Sequence, residues 1–234
     1  MFAVNHLNGF NAGSTGGGPI VITNTANAVS GTDGTSITFS AQSFGTAADD
    51  RHMIVCYAGT QTTGDGSTIT SMTIGGVSAT SVVTIDSLTG GGGAHVMTAI
   101  WIAAVPTGTT GDVVINFSTT FLNHGISIFS MTGAASSTAS STNSARDDGA
   151  DADAITLSVT IPSGGGGVGC YGQVNTGGAA SCTWTGLTEA YDNTRELSST
   201  FSTASSTTAG SPLSITATPA AAAAKTGCAA AWSS

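Results

Sequence analysis

The sequence predicts an all-β protein: an antiparallel β-sandwich, jelly-roll-like, preceded by an extended N-terminal arm. Three observations predict it. First, short runs rich in Val, Ile, Thr, Phe and Tyr follow one another between turns rich in Gly, Asp and Pro, without a sustained helical period. Second, Ser and Thr make up 69 of 234 residues and Gly 33, with 40% hydrophobic and 7% charged residues, against about 25% charged in ordinary soluble proteins. Disorder goes with high charge and few apolar residues. This chain has the opposite balance, with hydroxyls in place of charge and Thr suited to a pleated strand. Third, the stretch 94–105, AHVMTAIWIAAV, is the longest largely apolar run, fenced by four glycines at 90–93 and by Pro106.

Read with period two, that stretch points Val96, Thr98, Ile100 and Ile102 one way, and His95, Met97, Ala99, Trp101 and Ala103 the other. A strand in a two-sheet sandwich has one core face and one wet face; here both faces ask for cover, from elsewhere in the chain or from another subunit. The run is too short for a transmembrane helix, which needs about 20 apolar residues, so no membrane insertion is expected.

Residues 1–18 read as a docking arm. Phe2, Val4, Leu7 and Phe10 are its apolar anchors, and AGSTGGG follows. Residues 19–234 read as a single sandwich domain. Ile20–Thr23 and Ile37–Ser40 are short strands about a ThrAspGlyThr turn; Arg51–Ala58 is a full strand; Thr68–Ile74 and Val77–Ile85 form a hairpin on GlyGly. Beyond the central run, Asp112–Ser118 and His124–Met131 alternate, while 133–154 shows no period and reads as a loop. Ile155–Ile161 alternates again. Strands at 164–174, 197–204 and 212–218 follow, and KTGCAAAWSS ends the chain, expected to pair with an early strand and close the domain.

Net charge is −9 with four basic residues, Arg51, Arg146, Arg195 and Lys225. That excludes a phosphate-tracking surface, so no nucleic-acid partner is expected. The N-terminus lacks the basic and apolar regions of a secretory signal, so synthesis in a host cytoplasm is expected. Cys56, Cys170, Cys182 and Cys228 lack CxxC spacing. They read as small core residues, with a Cys170–Cys182 disulfide as the alternative. No GxSxG, HExxH or P-loop is present, and the chain is expected not to be an enzyme and to carry no cofactor. Glu189 and Glu196 are the only glutamates and nothing marks them as a glycosidase pair. His52, His95 and His124 stand near strand starts and would ligate a metal only if they converged. Asp147, Asp148, Asp151 and Asp153 flank a Gly and are candidate calcium ligands, set against a solvated acidic loop. Trp184 and Tyr191, in CTWTGLTEAYD, are candidate glycan contacts, set against core packing.

Together the segments RHMIVCYAGT, SMTIGGVSATSVVTI and AHVMTAIWIAAVPTGTTGDVVINFS, then ITLSVTIPSGGGGVGCYGQV and CTWTGLTEAYD, resemble a diverse group of β-sandwich surface proteins of tailed bacteriophages and gene-transfer-agent-like particles. VNHLNGFNAG is similar to their short attachment arms. The resemblance spans the chain loosely, through turn-and-strand motifs. It implies a virion structural protein of head-decoration, head-spike or tail-surface type, often trimeric, with no catalytic residue to carry over. The expected function is a capsid decoration protein, located on the virion, that docks on the major capsid or other virion proteins by its arm and forms a homotrimer. The alternative is a tail or head-fibre adhesion module that binds host surface glycans.

Overall fold

The computed structural model describes residues 18–61, 67–87, 95–148, 154–174, 181–195, 199–219 and 224–234. The arm, with Phe2, Val4, Leu7 and Phe10, lies outside them apart from Gly18. Among the described residues there are strands and no helix. In chain order the strands are β1 (Val21–Ser30), β2 (Gly34–Ser43), β3 (His52–Gln61), β4 (Ile69–Ile74), β5 (Val77–Ser78), β6 (Thr80–Asp86), β7 (His95–Ala104), β8 (Thr110–Phe121) and β9 (His124–Thr132). They continue with β10 (Ser141–Asp147), β11 (Ile155–Ile161), β12 (Gly166–Val174), β13 (Cys182–Thr185), β14 (Thr188–Arg195), β15 (Ser199–Ser206), β16 (Gly210–Pro219) and β17 (Lys225–Trp232).

The strands form four sheets, with orders β1-β9-β3-β7-β6, β2-β8-β4-β5, β10-β17-β12-β15-β14 and β11-β16-β13. All their pairings are antiparallel. No sheet mixes strands from before and after residue 140, so the chain divides into two sandwiches. Their windings coincide. Set β10 to β14 against β1, β2, β3, β4 and β6, and β15 to β17 against β7 to β9, and each sheet of the second half repeats the order of its counterpart; only the two-residue β5 has no equivalent. Details of register repeat as well. Cys56 lies between Ile100 and Ser127, and Cys170 between Thr203 and Cys228. The edge strands shift register at the same place, between Ser81 and Val83 in β6 and between Glu189 and Tyr191 in β14. A single sandwich over 19–234 was expected; the fold is a tandem pair.

The halves pack by their five-stranded sheets, in reversed lateral order. β6 lies over β10 and β17, β7 over β17 and β12, β3 over β12 and β15, and β1 reaches β12 and β14. Two copies related by a two-fold axis along the strands, between β3 and β12, have this arrangement. Four layers thus enclose three cores. The first, inside the first half, holds Ile37, Phe39, Tyr57, Trp101 and Phe117. The middle core, between halves, holds Ile54, Ile100, Phe129, Val168, Phe201 and Trp232. The third, inside the second half, holds Ile155, Leu157, Val159, Tyr171 and Ala229. Each large side chain buried this way contributes about 1.5–3 kcal/mol.

β7 shows why the stack forms. Met97, Ala99, Trp101 and Ala103 enter the first core, and Ile100 and Ile102 enter the middle one, the two faces read from the sequence. Cover for the second face comes from the same chain. It comes by face packing between the halves, not by the pairing of a late strand with an early one that was expected. Edge pairing would have extended a sheet and left its apolar face wet. For the same reason β17 pairs with β10 and β12 of its own half rather than with an early strand. The segment 133–154 contains β10, whose burial alternates residue by residue. Its alternation is of Ser, Thr, Asn and Ala, which carries no hydropathy signal.

Candidate functional site

The seam between the halves is where the chain gathers its unusual polar groups. Glycines set its width. A Cβ on Gly125 would stand 2.6 Å from the Phe201 ring, and one on Gly172 would stand 2.9 Å from Val96 and 3.0 Å from Ala58 and Thr98. Ser127 accepts from Thr203 Oγ1 at 2.8 Å across the seam and donates to Asn27 Oδ1 at 2.7 Å. Thr98 and Thr226 bury hydroxyls that make no hydrogen bond among the described residues.

Each half places a cation-capable residue at the same point of its winding, beside the five-stranded sheet's buried Tyr. In the first half it is His124, paired in register with Gly59; in the second it is Lys225, paired with Gln173. His124 Nε2 faces the Thr32 carbonyl at 3.1 Å, so it carries the proton, and Nδ1 accepts from the Tyr57 hydroxyl at 2.9 Å. Burial pushes the Tyr57 pKa well up, which keeps the phenol protonated as that donor. Lys225, fully buried, meets Asp147 Oδ2 at 2.9 Å, while Tyr171 donates to Gln173 Oε1 at 2.7 Å.

A narrow crevice of about 10 Å³ opens beside His124, lined by Gly59, Thr60, Asn123, Asn193 and Thr200 among others. That is room for about one water, far below the range of about 300–1,000 Å³ typical of small-molecule sites. At the neighbouring end of the seam, Arg146 Nη1 donates to the Asp86 carbonyl at 3.2 Å and Arg146 Nε meets Asp148 at 3.4 Å. Burial raises the Asp86 carboxyl to about 6, opposed by His95 and Arg146 and assisted by Asp148.

One further polar group was not foreseen. Arg51 is 1% exposed, and six carbonyl oxygens surround its guanidinium. Nε donates to Val105, Nη1 to Phe44, Gly45 and Thr46, and Nη2 to Thr107 and Gly108, at 2.7–3.3 Å. Desolvation lowers its pKa. The residue ties two loops to the start of β3 and faces no substrate space.

Of the calcium candidates, Asp147 is engaged by Lys225 and Asp148 by Arg146, while Asp151 and Asp153 lie outside the described residues. The three histidines do not converge. His52 begins β3 and His95 pairs with Gln61 at its other end, nine residues and about 30 Å away. No group of three metal-ligating residues occurs among the described residues. Trp184 and Tyr191 do not share a platform. Trp184 packs on the third core, its indole N–H donating to Ser202 at 2.8 Å and its ring lying over Gly169. Tyr191 packs on the middle core, 5.9 Å from the Phe201 ring, on the opposite side of the same sheet. Cys170 and Cys182 are likewise on opposite sides of that sheet, in the middle and third cores, so the pairing entertained from the sequence is ruled out; all four cysteines carry free thiols.

The chain matches no known protein family, no curated protein and no solved structure.

Proposed function

We propose that the protein is a bacteriophage virion structural protein that decorates the capsid surface and docks there through residues 1–18. The observation that carries this reading is where its polar groups go. Arg51 and the Tyr57–His124 pair tie strands and loops within the first half, and the Lys225–Asp147 pair ties two strands of the second. The two outer sheets turn outward neutral hydroxyls, among them Ser36, Thr38 and Ser40 on one and Thr156, Ser158, Thr183 and Thr185 on the other. A rigid four-layer block with uncharged faces suits a passive coat more than a reaction centre. The resemblance to phage surface proteins supplies the setting. Self-association into a homotrimer is proposed through the arm and the outer sheet edges, because both faces of β7 are already covered.

Immunogold electron microscopy of virions from the source lysate tests the location. Label over heads is expected; label confined to tails favours the adhesion reading, and particles bare of label overturn both. A variant lacking residues 1–18 should stay folded and lose particle binding. Full binding without the arm would remove the docking role.

A further inference from the structure

We propose that Cys170 and Cys228 are a disulfide-forming pair, which staples the second half when the chain folds in the presence of a small-molecule disulfide. The two residues stand directly opposite each other on β12 and β17. Both side chains are fully buried and enter the middle core. Directly opposed residues of an antiparallel pair have Cα atoms about 4.5–5.5 Å apart, inside the window of about 4.4–6.8 Å that a disulfide spans.

Of the remaining two thiols neither stands opposite Cys170 in register. Cys56 belongs to the facing sheet. Its thiol approaches Cys170, whose pKa is pushed up by burial and then by the neighbouring Cys228 and Cys56 thiols. The glycine-narrowed seam brings it close, since a Cβ on Gly172, two residues along, would stand 3.0 Å from the Ala58 methyl, so Cys56 is the rival partner that the peptide map must exclude. Cys182 lies behind the sheet, in the third core. The first half also shows what is special about the second. Where β12 and β17 oppose Cys170 to Cys228, the equivalent strands β3 and β9 oppose Cys56 to Ser127. The half with the pair is the one whose own core leans on Ala204, Ala217, Ala229 and Ala231. Domains that bury little large apolar surface are those that gain most from a staple.

Fully buried thiols are inert in the folded state, so the bond is set before the stack closes. In the open chain the Cys228 thiolate attacks glutathione disulfide and expels one glutathione thiolate. The Cys170 thiolate then attacks the protein sulfur of the mixed disulfide and expels the second. Two protein thiols become one S–S bond, and one glutathione disulfide becomes two glutathione thiols.

The test is to refold the full chain, denatured and reduced, in a mixture of glutathione and its disulfide. Remaining thiols are then alkylated under denaturing conditions and the peptides mapped by mass spectrometry. The expected product has one bridge, Cys170–Cys228, with Cys56 and Cys182 alkylated, and a Tm about 5–15 °C above the reduced form. Cys182→Ala should leave bridge and shift intact; Cys228→Ala should abolish both. A bridge through Cys56 or Cys182, or four alkylated thiols, overturns the proposal. If Cys228→Ala does not fold, the peptide map of the unsubstituted chain decides alone.

Discussion

The two halves share one winding and fill it differently. In the first, the enclosed core is aromatic. Phe117 lies 4.6 Å from Phe121 and 5.6 Å from Tyr57, and Phe39, Phe44 and Trp101 belong to the same core. In the second, Ala204, Ala217, Ala229 and Ala231 stand among four aliphatic residues of β11, and three of the eight buried residues of β17 are Ala. An Ala buries far less apolar area than a Phe, and burial free energy scales with that area. The second half therefore leans on the middle core, to which it brings Val168, Phe201 and Trp232. The lesson is that a topology fixes where side chains point, not how large they are, and that a poorly filled unit persists when it is built against a well filled one.

The largest effect should come from the device that only the first half has. Arg51 holds the loops 44–46 and 105–108, and Gly165 stands just before β12 where Arg51 stands before β3. Arg51→Met leaves several buried carbonyls without donors and should cost about 3–5 kcal/mol, a Tm loss of about 10 °C for a chain of this size. Because the middle core is shared, the loss should appear as one cooperative transition moved down. Two separate transitions in calorimetry would show that the halves melt independently and break the comparison.

The next test acts on the seam. Gly125→Val puts a side chain into the space of the Phe201 ring. Overpacking of this kind costs about 1–3 kcal/mol. Adding Phe201→Ala should restore part of the loss, with a coupling of about 0.5–3 kcal/mol between the two changes. Strict additivity in urea denaturation would mean that the ring does not depend on that glycine.

How much of this was legible follows from the same contrast. Strand character, the two faces of β7 and the alternation of β11 were readable because large β-branched and aromatic residues mark them. The tandem repeat was not. The halves share a CysTyr pair, Cys56-Tyr57 and Cys170-Tyr171, but their cores are filled with residues of different size, so the common winding leaves little common sequence. β10 was lost to the same cause, an alternation without hydropathy. Arg51 gave no signal because its partners are backbone carbonyls, which every residue carries. The cysteines are the small core residues they were read as, free and buried; the alternative Cys170–Cys182 pairing followed proximity along the chain, whereas register sets Cys228 opposite Cys170. Trp184 and Tyr191 looked like one cluster in sequence and lie on opposite sides of a sheet.

The smallest effect sharpens the comparison through pH. At the end of β6 Asp86 is faced by His95, Arg146 and Asp148, and burial raises its carboxyl to about 6 from an ordinary 3.8. Between those values the folded chain binds more protons than the unfolded one, so stability falls as pH rises from about 4 to about 6 and is level above. Asp86 is only half-buried, and discounting the shift for solvent screening leaves about 1 kcal/mol. Asp86→Asn should remove that part of the slope and raise stability at pH 7.5 by the same amount. Part of the slope should survive in the variant, because Asp192 and Glu189 in the second half are shifted upward by burial in the same direction. Urea denaturation at pH 4, 5, 6 and 7.5 separates the two contributions. An unchanged slope in Asp86→Asn would mean that Asp86 contributes none of the pH response.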